Sequence, residues 1–307
     1  MKFIARGVIL GCFMFGSAVS AETLPIEYVE PARADGVAFV RSLTVENLDD
    51  DAGGYMRNAL IEGLRSASYG GEPWFAVLPQ TYSDDTEAAL EGAVNVVIDD
   101  RRASPKTKKS CAERDAKGKC IREEKREIAC NDLVIDVDPM LRLVSREGIE
   151  VYRSPHGRQK STRYCEDGYQ PAIDPIVDTM IDEIVAEIVA DLAPRQFAEG
   201  LRILESRKGL PKADANRFKQ AIRLTKTDPG AACLEFVSLA EAHPGHGPAV
   251  FNAGLCYEMR GDTDTARDWY ERAASLPMAG DYSRQGLSRL DANRRAADQI
   301  EEHFAAG

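Results

Sequence analysis

The chain has little of the residues and motifs that carry most enzyme chemistry. Its 307 residues include four histidines and two tryptophans. No G-x-S-x-G, H-E-x-x-H or phosphate-binding glycine loop is present. His243 and His246 lie in a Pro-Gly turn, which we interpret as a surface feature. We therefore expect no catalytic, cofactor-binding or metal-binding residue, and an unrecognised periplasmic enzyme is the weakest functional hypothesis.

Long apolar runs are also missing after the first 21 residues, so no later segment is expected to span a bilayer as a helix. The first 21 residues are typical of a signal peptide, with Lys2 and Arg6, an apolar stretch at 7–15, and small residues up to Ala21. Residues 9–12 loosely resemble a lipobox, so lipidation of Cys12 is a less favoured alternative. The sequence predicts a periplasmic or secreted protein that is not transmembrane.

Positive charge is scarce except in one stretch. The chain carries a net charge of −11 and the signal peptide +2, which leaves −13 for the remainder. Residues 101–126 hold eleven Lys/Arg and four Asp/Glu, a balance of +7, so the rest of the mature chain is at −20. The acidic total argues against nucleic acid as a partner. The basic stretch predicts binding of an anionic lipid headgroup, lipopolysaccharide or polyanion through Lys106, Lys108, Lys109, Lys117, Lys119, Arg122, Lys125 and Arg126.

Six cysteines remain once Cys12 is set aside, and none has the close spacing typical of zinc ligands. A turn at 115–118 suggests a hairpin clipped by Cys111 and Cys120. A second turn at 147–148 makes paired residue numbers sum to 295, which places Cys130 opposite Cys165 and predicts a second bridge. The same register places Arg142 opposite Arg153, an unfavourable pair of like charges. For Cys233 and Cys256, a disulfide and two buried thiols remain open alternatives.

The apolar periodicity predicts an α/β domain over residues 22–195, with a mixed sheet, packed helices and the disulfide-clipped hairpin. We expect strands at 37–45, 74–79 and from 94, and helices at 52–67, 84–91 and 172–192. A further short helix is expected at 196–206. In the helix at 172–192, apolar residues recur at steps of three and four from Ile173 to Leu192, while acids occupy the other face.

Residues 196–307 predict an all-α domain of tetratricopeptide type. The pattern is carried by small and aromatic residues at Val250, Ala253, Gly254, Tyr257, Gly261, Ala266, Tyr270, Ala273 and Pro277. A helix at 282–304 would cap the repeats, with Leu287, Leu290, Ala297, Ile300 and Phe304 facing inward. The first helix of the clear unit would line a groove for a partner protein, through Phe251, Asn252, Leu255, Glu258 and Met259.

The segments 37–40 (VAFV), 45–47 (VEN) and 74–78 (WFAVL), followed by the long closing helix, resemble the periplasmic domain of CsgG-type curli-secretion lipoproteins and the N-terminal domain of TolB. The resemblance covers about residues 30–195. It implies a role in envelope assembly or scaffolding. CsgG hairpins insert into the outer membrane, but residues 106–126 lack the alternating apolar residues that a lipid-facing strand needs, so we expect no pore.

These observations favour an exported envelope scaffold or adaptor that binds a partner protein through the helical groove. Binding of an anionic envelope component through the basic hairpin is the principal alternative. The two hypotheses differ in salt dependence, because only the second predicts binding that weakens steeply with ionic strength.

Overall fold

A computed structural model describes residues 22–50 and 52–305, without the side chains of residues 82–84. The predicted signal peptide and Cys12 lie outside these residues. The chain divides into two compact units. The first, here the helical unit, combines residues 22–27 with Ala198–Leu290, and the second, here the sheet unit, combines Tyr28–Phe197 with residues 291–305.

Ten strands and seven α-helices are described. The strands are β1 (Thr23–Glu30), β2 (Ser42–Val45), β3 (Ser68–Tyr69), β4 (Glu72–Pro73), β5 (Ala76–Leu78), β6 (Ala88–Arg114), β7 (Cys120–Ser145), β8 (Glu150–Arg153), β9 (Arg158–Cys165) and β10 (Arg195–Arg202). The helices are α1 (Gly53–Ser66), α2 (Asp174–Leu192), α3 (Lys212–Leu224), α4 (Pro229–Ala242), α5 (Gly247–Met259), α6 (Thr263–Ala274) and α7 (Gly280–Ala305).

The main sheet of the sheet unit has the strand order β5-β2-β6-β7-β8, and β9 also pairs with β7. Strand β2 is parallel to β5 and β6, whereas the pairs from β6 onward are antiparallel. Helix α1 buries Met56, Leu60 and Leu64, which lie one turn apart on one face. These side chains join the core that also contains the apolar stripe of α2.

The predicted register around residues 147–148 is present. Cys130 pairs with Cys165, and the ladder continues to the pair of Val137 with Arg158, whose residue numbers also sum to 295. Arg142 does face Arg153. This pair is tolerated because each arginine has its own carboxylate: Arg142 contacts Glu91 at 2.7 Å, and Arg153 contacts Glu150 at 2.5 Å. A shift in the pairing follows at Val144.

The prediction of an α/β domain followed by an all-α tetratricopeptide domain is wrong. The fold is mixed α/β, and the helical unit itself includes strand residues from β1 and β10. Residues expected to form a helix at 196–206 instead form β10, which pairs with β1. Within this unit, a Cβ at Gly200 would lie 2.8 Å from Thr23 Oγ1, so the close approach of the two strands depends on glycine.

Other predicted elements differ in type or extent. Residues 84–91 do not form a helix: a 3-10 helix covers Gln80–Asp85, and β6 begins at Ala88. The strand expected at 37–45 is limited to Ser42–Val45. In α7, Ala296 and His303 are buried, whereas the expected inward residues Ala297 and Phe304 are exposed. The inward face was misplaced because it contains polar residues that bind backbone atoms.

Helices α3 to α6 pack successively on one another. The Tyr270 ring lies against Gly254 and Gly286, where an added Cβ would come within 2.7 Å of the ring. A disulfide between Cys233 and Cys256 joins α4 to α5. Helical packing in this unit therefore relies on two glycines that accommodate one aromatic side chain.

Candidate anion-binding arm

The basic stretch 101–126, here called the arm, is a two-stranded ribbon made by β6 and β7. The two strands pair from Lys106 with Ile128 to Cys111 with Glu123, beyond the point where β9 stops pairing with β7 at Cys130. Every residue of 104–110 and 121–127 is exposed. A ribbon of two strands with both faces in water is only marginally stable, so other interactions must hold its shape.

The end of the ribbon is held by a disulfide and a tight turn. Cys111 and Cys120 are bonded, with their Cα atoms 5.7 Å apart. The Asp115 carboxylate accepts hydrogen bonds from the backbone amides of Lys117 at 2.9 Å and Lys119 at 2.8 Å. Gly118 takes a φ of +80°, which favours glycine. These contacts fix the position from which the lysines of the turn extend.

Some arm cations have acidic partners. Lys109 contacts Glu123 at 3.4 Å and Arg122 contacts Glu113 at 3.6 Å, across the two strands. Because all four side chains are exposed, each pair is worth at most about 1 kcal/mol. These pairs can therefore exchange their carboxylate for another anion at small cost.

At the base of the arm, Asp167 neutralises two lysines. Its carboxylate lies 3.0 Å from Lys108 Nζ and 3.8 Å from Lys106 Nζ. The hydrogen bond from Lys108 holds the pKa of Asp167 below its usual value. A cavity of about 440 Å³ at this position is lined by Lys108, Ser110, Arg126, Ile128, Glu166 and Asp167.

Two neighbouring cross-strand pairs of the arm bring like charges together. Lys108 is opposite Arg126, and Lys109 is opposite Lys125. Consecutive pairs point to opposite faces of a ribbon, so each face carries one such pair. Like charges directly opposite one another destabilise a ladder. An anion held between the paired side chains would remove that repulsion.

Four of the eight predicted anion-binding residues have no ion pair within the described part of the chain. They are Lys117, Lys119, Lys125 and Arg126, and all four are exposed. Lys106, Lys108, Lys109 and Arg122 are also exposed but have the partners given above. The structure thus brings all eight residues onto one ribbon, and half of them retain an unneutralised charge.

The residues predicted to line a partner groove do not form an open surface. Phe251, Asn252, Leu255 and Glu258 are buried, with at most 7% of each residue exposed, and Met259 is partly buried. The Asn252 amide bonds both the N–H and the C=O of Leu204 at 2.9 Å. The chain itself therefore occupies the position that a partner was expected to take.

Glu258 is also engaged inside the helical unit. Its carboxylate accepts from the Tyr270 hydroxyl at 2.5 Å and from Arg289 Nε at 2.6 Å. Burial, followed by the charge of Glu258, raises the pKa of Tyr270. The polar residues predicted for recognition thus stabilise the packing of α5 with its neighbours.

One buried polar cluster was not foreseen from the sequence. Asp191, at the end of α2, accepts from Tyr152 at 2.8 Å and from Arg33 at 3.3 Å, and it contacts His156 Nε2 at 2.7 Å. Burial, followed by the hydrogen bond to Asp191, raises the pKa of Tyr152. The acids of this helix were expected on the face opposite the apolar stripe, but Asp191 is buried. The cluster attaches the residues around β8 to α2.

The described residues contain three disulfides, Cys111–Cys120, Cys130–Cys165 and Cys233–Cys256. Among residues 22–50 and 52–305, no group of three His, Cys, Asp or Glu side chains is placed to hold a metal ion. None of the helices within these ranges is both long and apolar enough to span a bilayer.

Comparisons with known proteins do not identify a family. No family model matches the chain, and no curated protein matches it. A solved structure of a PelC dodecamer from Paraburkholderia phytofirmans aligns with 56% of this chain and 98% of that chain, at 13% identity and a TM-score of 0.25. A similarity of this size carries no argument about function.

Proposed function

We propose that this chain is an exported cell-envelope protein that binds an anionic envelope component through its arm. The ligand class is a lipid headgroup, lipopolysaccharide or another polyanion. Three disulfides support export, because such bonds persist in oxidising compartments. The signal-like first 21 residues and the resemblance to CsgG-type domains support an envelope location.

The like-charge pairs of the arm are the observation that carries this proposal. Lys108 is opposite Arg126 and Lys109 is opposite Lys125. Lys108 and Lys109 each contact a carboxylate, whereas Arg126 and Lys125 have no ion pair among the described residues. The repulsion is relieved when a phosphate or sulfate oxygen lies between the two cations of a pair. Because the two pairs face opposite sides, a polymer or a surface with many anionic groups suits the arm better than a single small anion.

The expected affinity is electrostatic in origin. Each Lys or Arg close to an anionic membrane surface contributes about 1 kcal/mol. The four arm cations without an ion pair would together contribute about 4 kcal/mol, which is close to three orders of magnitude in affinity. Binding should therefore weaken strongly as salt is added.

The test measures binding of the full exported chain to vesicles of phosphatidylglycerol, to vesicles of phosphatidylcholine, to lipopolysaccharide and to a soluble sulfated polysaccharide. The arm variant combines Lys117→Gln, Lys119→Gln, Lys125→Gln and Arg126→Gln. The control variant removes the same charge from exposed residues elsewhere, with Lys160→Gln, Lys208→Gln, Lys212→Gln and Lys219→Gln.

We expect the wild type and the control to bind at least one anionic ligand, to ignore phosphatidylcholine, and to lose affinity as salt rises. The arm variant should bind at least about 100-fold more weakly. The ligand that binds at the lowest concentration identifies the source of the anionic groups. Equal binding by the two variants would contradict the proposal, since net charge and not the arm would then determine affinity.

A further inference from the structure

The cavity of about 440 Å³ at the base of the arm has one basic wall and one acidic wall. The basic wall is a face of the ribbon. Lys108 is opposite Arg126, and side chains directly opposite each other in a ladder point to the same face. Residues two apart share that face, which adds Ser110 and Ile128. Ile128 is 7% exposed and gives the cavity an apolar surface beside its charged groups.

The acidic wall is the turn that follows β9, which carries Glu166 and Asp167. The Glu166 amide donates to the carbonyl oxygen of Ala129 at 3.0 Å, so the turn continues the ladder with β7. The Gly168 amide donates to the carbonyl oxygen of Cys165 at 2.9 Å, and Cys165 is itself disulfide-bonded to β7. These bonds hold both carboxylates beside the ribbon.

The charges of the two walls are only partly paired. Asp167 contacts Lys108 at 3.0 Å. Arg126 and Glu166 also line the cavity, but neither has an ion pair among residues 22–50 and 52–305. A ligand with negative charge alone would place its oxygens near the Glu166 carboxylate, and the repulsion would weaken its binding. A ligand that carries both signs of charge would complement both walls.

We propose that this cavity is a subsite for a phosphate ester that also carries a primary ammonium group, of which ethanolamine phosphate is the simplest form. Lys108 and Arg126 would bind the phosphate, with the Ser110 hydroxyl as a further donor. The ammonium would donate hydrogen bonds to Glu166 and Asp167. The two carbon atoms between the charged groups suit the apolar side chain that lines the same cavity. This inference rests on the proposed function, because it adds selectivity among the envelope ligands of the arm.

The ammonium group decides the selectivity. A primary ammonium has three N–H donors for the carboxylates, whereas the quaternary ammonium of choline has none. Phosphatidylcholine is therefore a control with the same phosphate diester and the same net charge. Ethanolamine phosphate could come from a phospholipid headgroup or from a lipopolysaccharide that bears the group, and the two sources share this chemistry.

The first experiment measures binding of the full exported chain to two kinds of vesicle with equal phosphatidylglycerol content. One kind is completed with phosphatidylethanolamine and the other with phosphatidylcholine. The variant is Glu166→Gln, which leaves the contacts of Asp167 with Lys108 and Lys106 in place. The control is Glu72→Gln, which removes the same charge from an exposed residue elsewhere in the sheet unit.

We expect the wild type and the control to bind the ethanolamine vesicles about two- to fivefold more tightly than the choline vesicles, the range that an exposed ion pair provides. Glu166→Gln should bind the two kinds equally. It should bind the choline vesicles at least as tightly as the wild type does, since a negative charge near the phosphate is gone. Equal binding of both vesicles by the wild type, or a preference that Glu166→Gln retains, would overturn the inference.

Amide chemical shifts of the full exported chain then locate the site with soluble probes. Glycerophosphoethanolamine should shift the amides of residues 108–110, 126–128 and 165–168 until they saturate, and glycerophosphocholine should shift them much less. Equal shifts with the two probes, or shifts confined to other residues, would count against the subsite. Lipopolysaccharide with and without attached ethanolamine phosphate tests the second source, and the source with the larger ethanolamine-dependent gain is the preferred ligand.

Failure of the subsite is distinguishable from failure of the proposed function. The subsite alone fails when phosphatidylglycerol binding depends on the arm cations but phosphatidylethanolamine brings no gain. The proposed function fails when the arm variant with four glutamines binds phosphatidylglycerol as tightly as its control, whichever lipid completes the vesicle.

Discussion

At the scale of single residues, the positive charge that the arm offers to a ligand depends on which of its cations already have a carboxylate partner. Asp167 is the main example, because it contacts Lys108 and Lys106 at the base of the arm. It occupies a position where an anionic ligand group would approach the same lysines. A protein carboxylate and a ligand anion should therefore compete there.

We predict that Asp167→Asn strengthens binding of anionic ligands by the arm by about two- to fivefold, since an exposed ion pair is worth about 0.2–1 kcal/mol. Titration with anionic vesicles measures the effect. Asp132→Asn is the matched control, because the ion pair of Asp132 is with Arg163, while its strand neighbour Arg101 has its own ion pair with Asp99. Weaker binding by Asp167→Asn would mean that Asp167 orients the lysines rather than competing for them.

A second residue-scale prediction concerns Glu258. Removing its charge breaks the ion pair between Glu258 and Arg289, whose side chains are 5% and 15% exposed. Breaking a buried pair from one side costs about 3–5 kcal/mol, so Glu258→Gln should lower the free energy of unfolding by about 3 kcal/mol. Urea denaturation measures it.

The control for that experiment is Glu235→Gln. Glu235 contacts Arg217 at 3.0 Å, but both side chains are about 40% exposed, and the cost should be below about 1 kcal/mol. If the two variants lost similar amounts of unfolding free energy, the buried Glu258–Arg289 pair would contribute no more to stability than the exposed Glu235–Arg217 pair.

At the scale of elements, the two disulfides of the sheet unit should differ in effect. Cys111–Cys120 closes a separation of 9 residues at the arm, and Cys130–Cys165 closes 35 between core strands. The chain-entropy model assigns the longer loop about 1 kcal/mol more. Cys130→Ser with Cys165→Ser should therefore lower stability more than Cys111→Ser with Cys120→Ser.

The shorter bridge should instead govern the local order of the arm. We predict that Cys111→Ser with Cys120→Ser increases hydrogen exchange of residues 106–128 and weakens anion binding, while exchange in α1 and α2 is unchanged. Unchanged exchange in the arm would show that the turn at Asp115 and the cross-strand pairs suffice to hold the ribbon.

The elements that could be predicted from the sequence are those set by hydrophobic periodicity or by a nearby turn. The α1 and α2 stripes follow helical periodicity, and β7 pairs with β9 in the register predicted from the turn at 147–148, although the pairing next to that turn is shifted by one residue. Strand β10 was not predictable, because its pairing with β1 joins residues far apart in the sequence. Periodicity alone assigned those residues to a helix.

The candidate site residues also divide into those that local sequence reveals and those whose partners are distant in the sequence. The eight arm cations were visible as a local excess of charge, and they do lie on one ribbon. The burial of Asn252 was not visible, because it depends on Leu204, 48 residues away. Asp167 was missed for the same reason, since its partners Lys106 and Lys108 come from a distant segment.

At the scale of the whole molecule, several carboxylates make the fold sensitive to acid. Hydrogen bonds from Arg163, Arg33 and His243 hold the pKa values of Asp132, Glu187 and Asp214 below their usual values. A lowered folded-state pKa gives stability that is present above the unfolded-state pKa and is lost as pH falls.

We therefore predict that the thermal unfolding temperature is roughly constant from about pH 7 to 5 and falls progressively below about pH 4. Differential scanning calorimetry on the oxidised protein measures it. High salt should reduce the fall, because these pairs are in part exposed to solvent. A maximum of stability near pH 3 would contradict this view of the carboxylates.

We propose that the arm, with a local charge of +7 on an acidic protein, is the surface that binds an anionic envelope component. The most direct measurement is photo-crosslinking in cells with a probe at Lys117, compared with a probe at the exposed control Lys160, followed by mass spectrometry. We expect capture of lipid or glycan at Lys117 and not at Lys160. Capture of a discrete protein at Lys117, with no lipid or glycan, would contradict it.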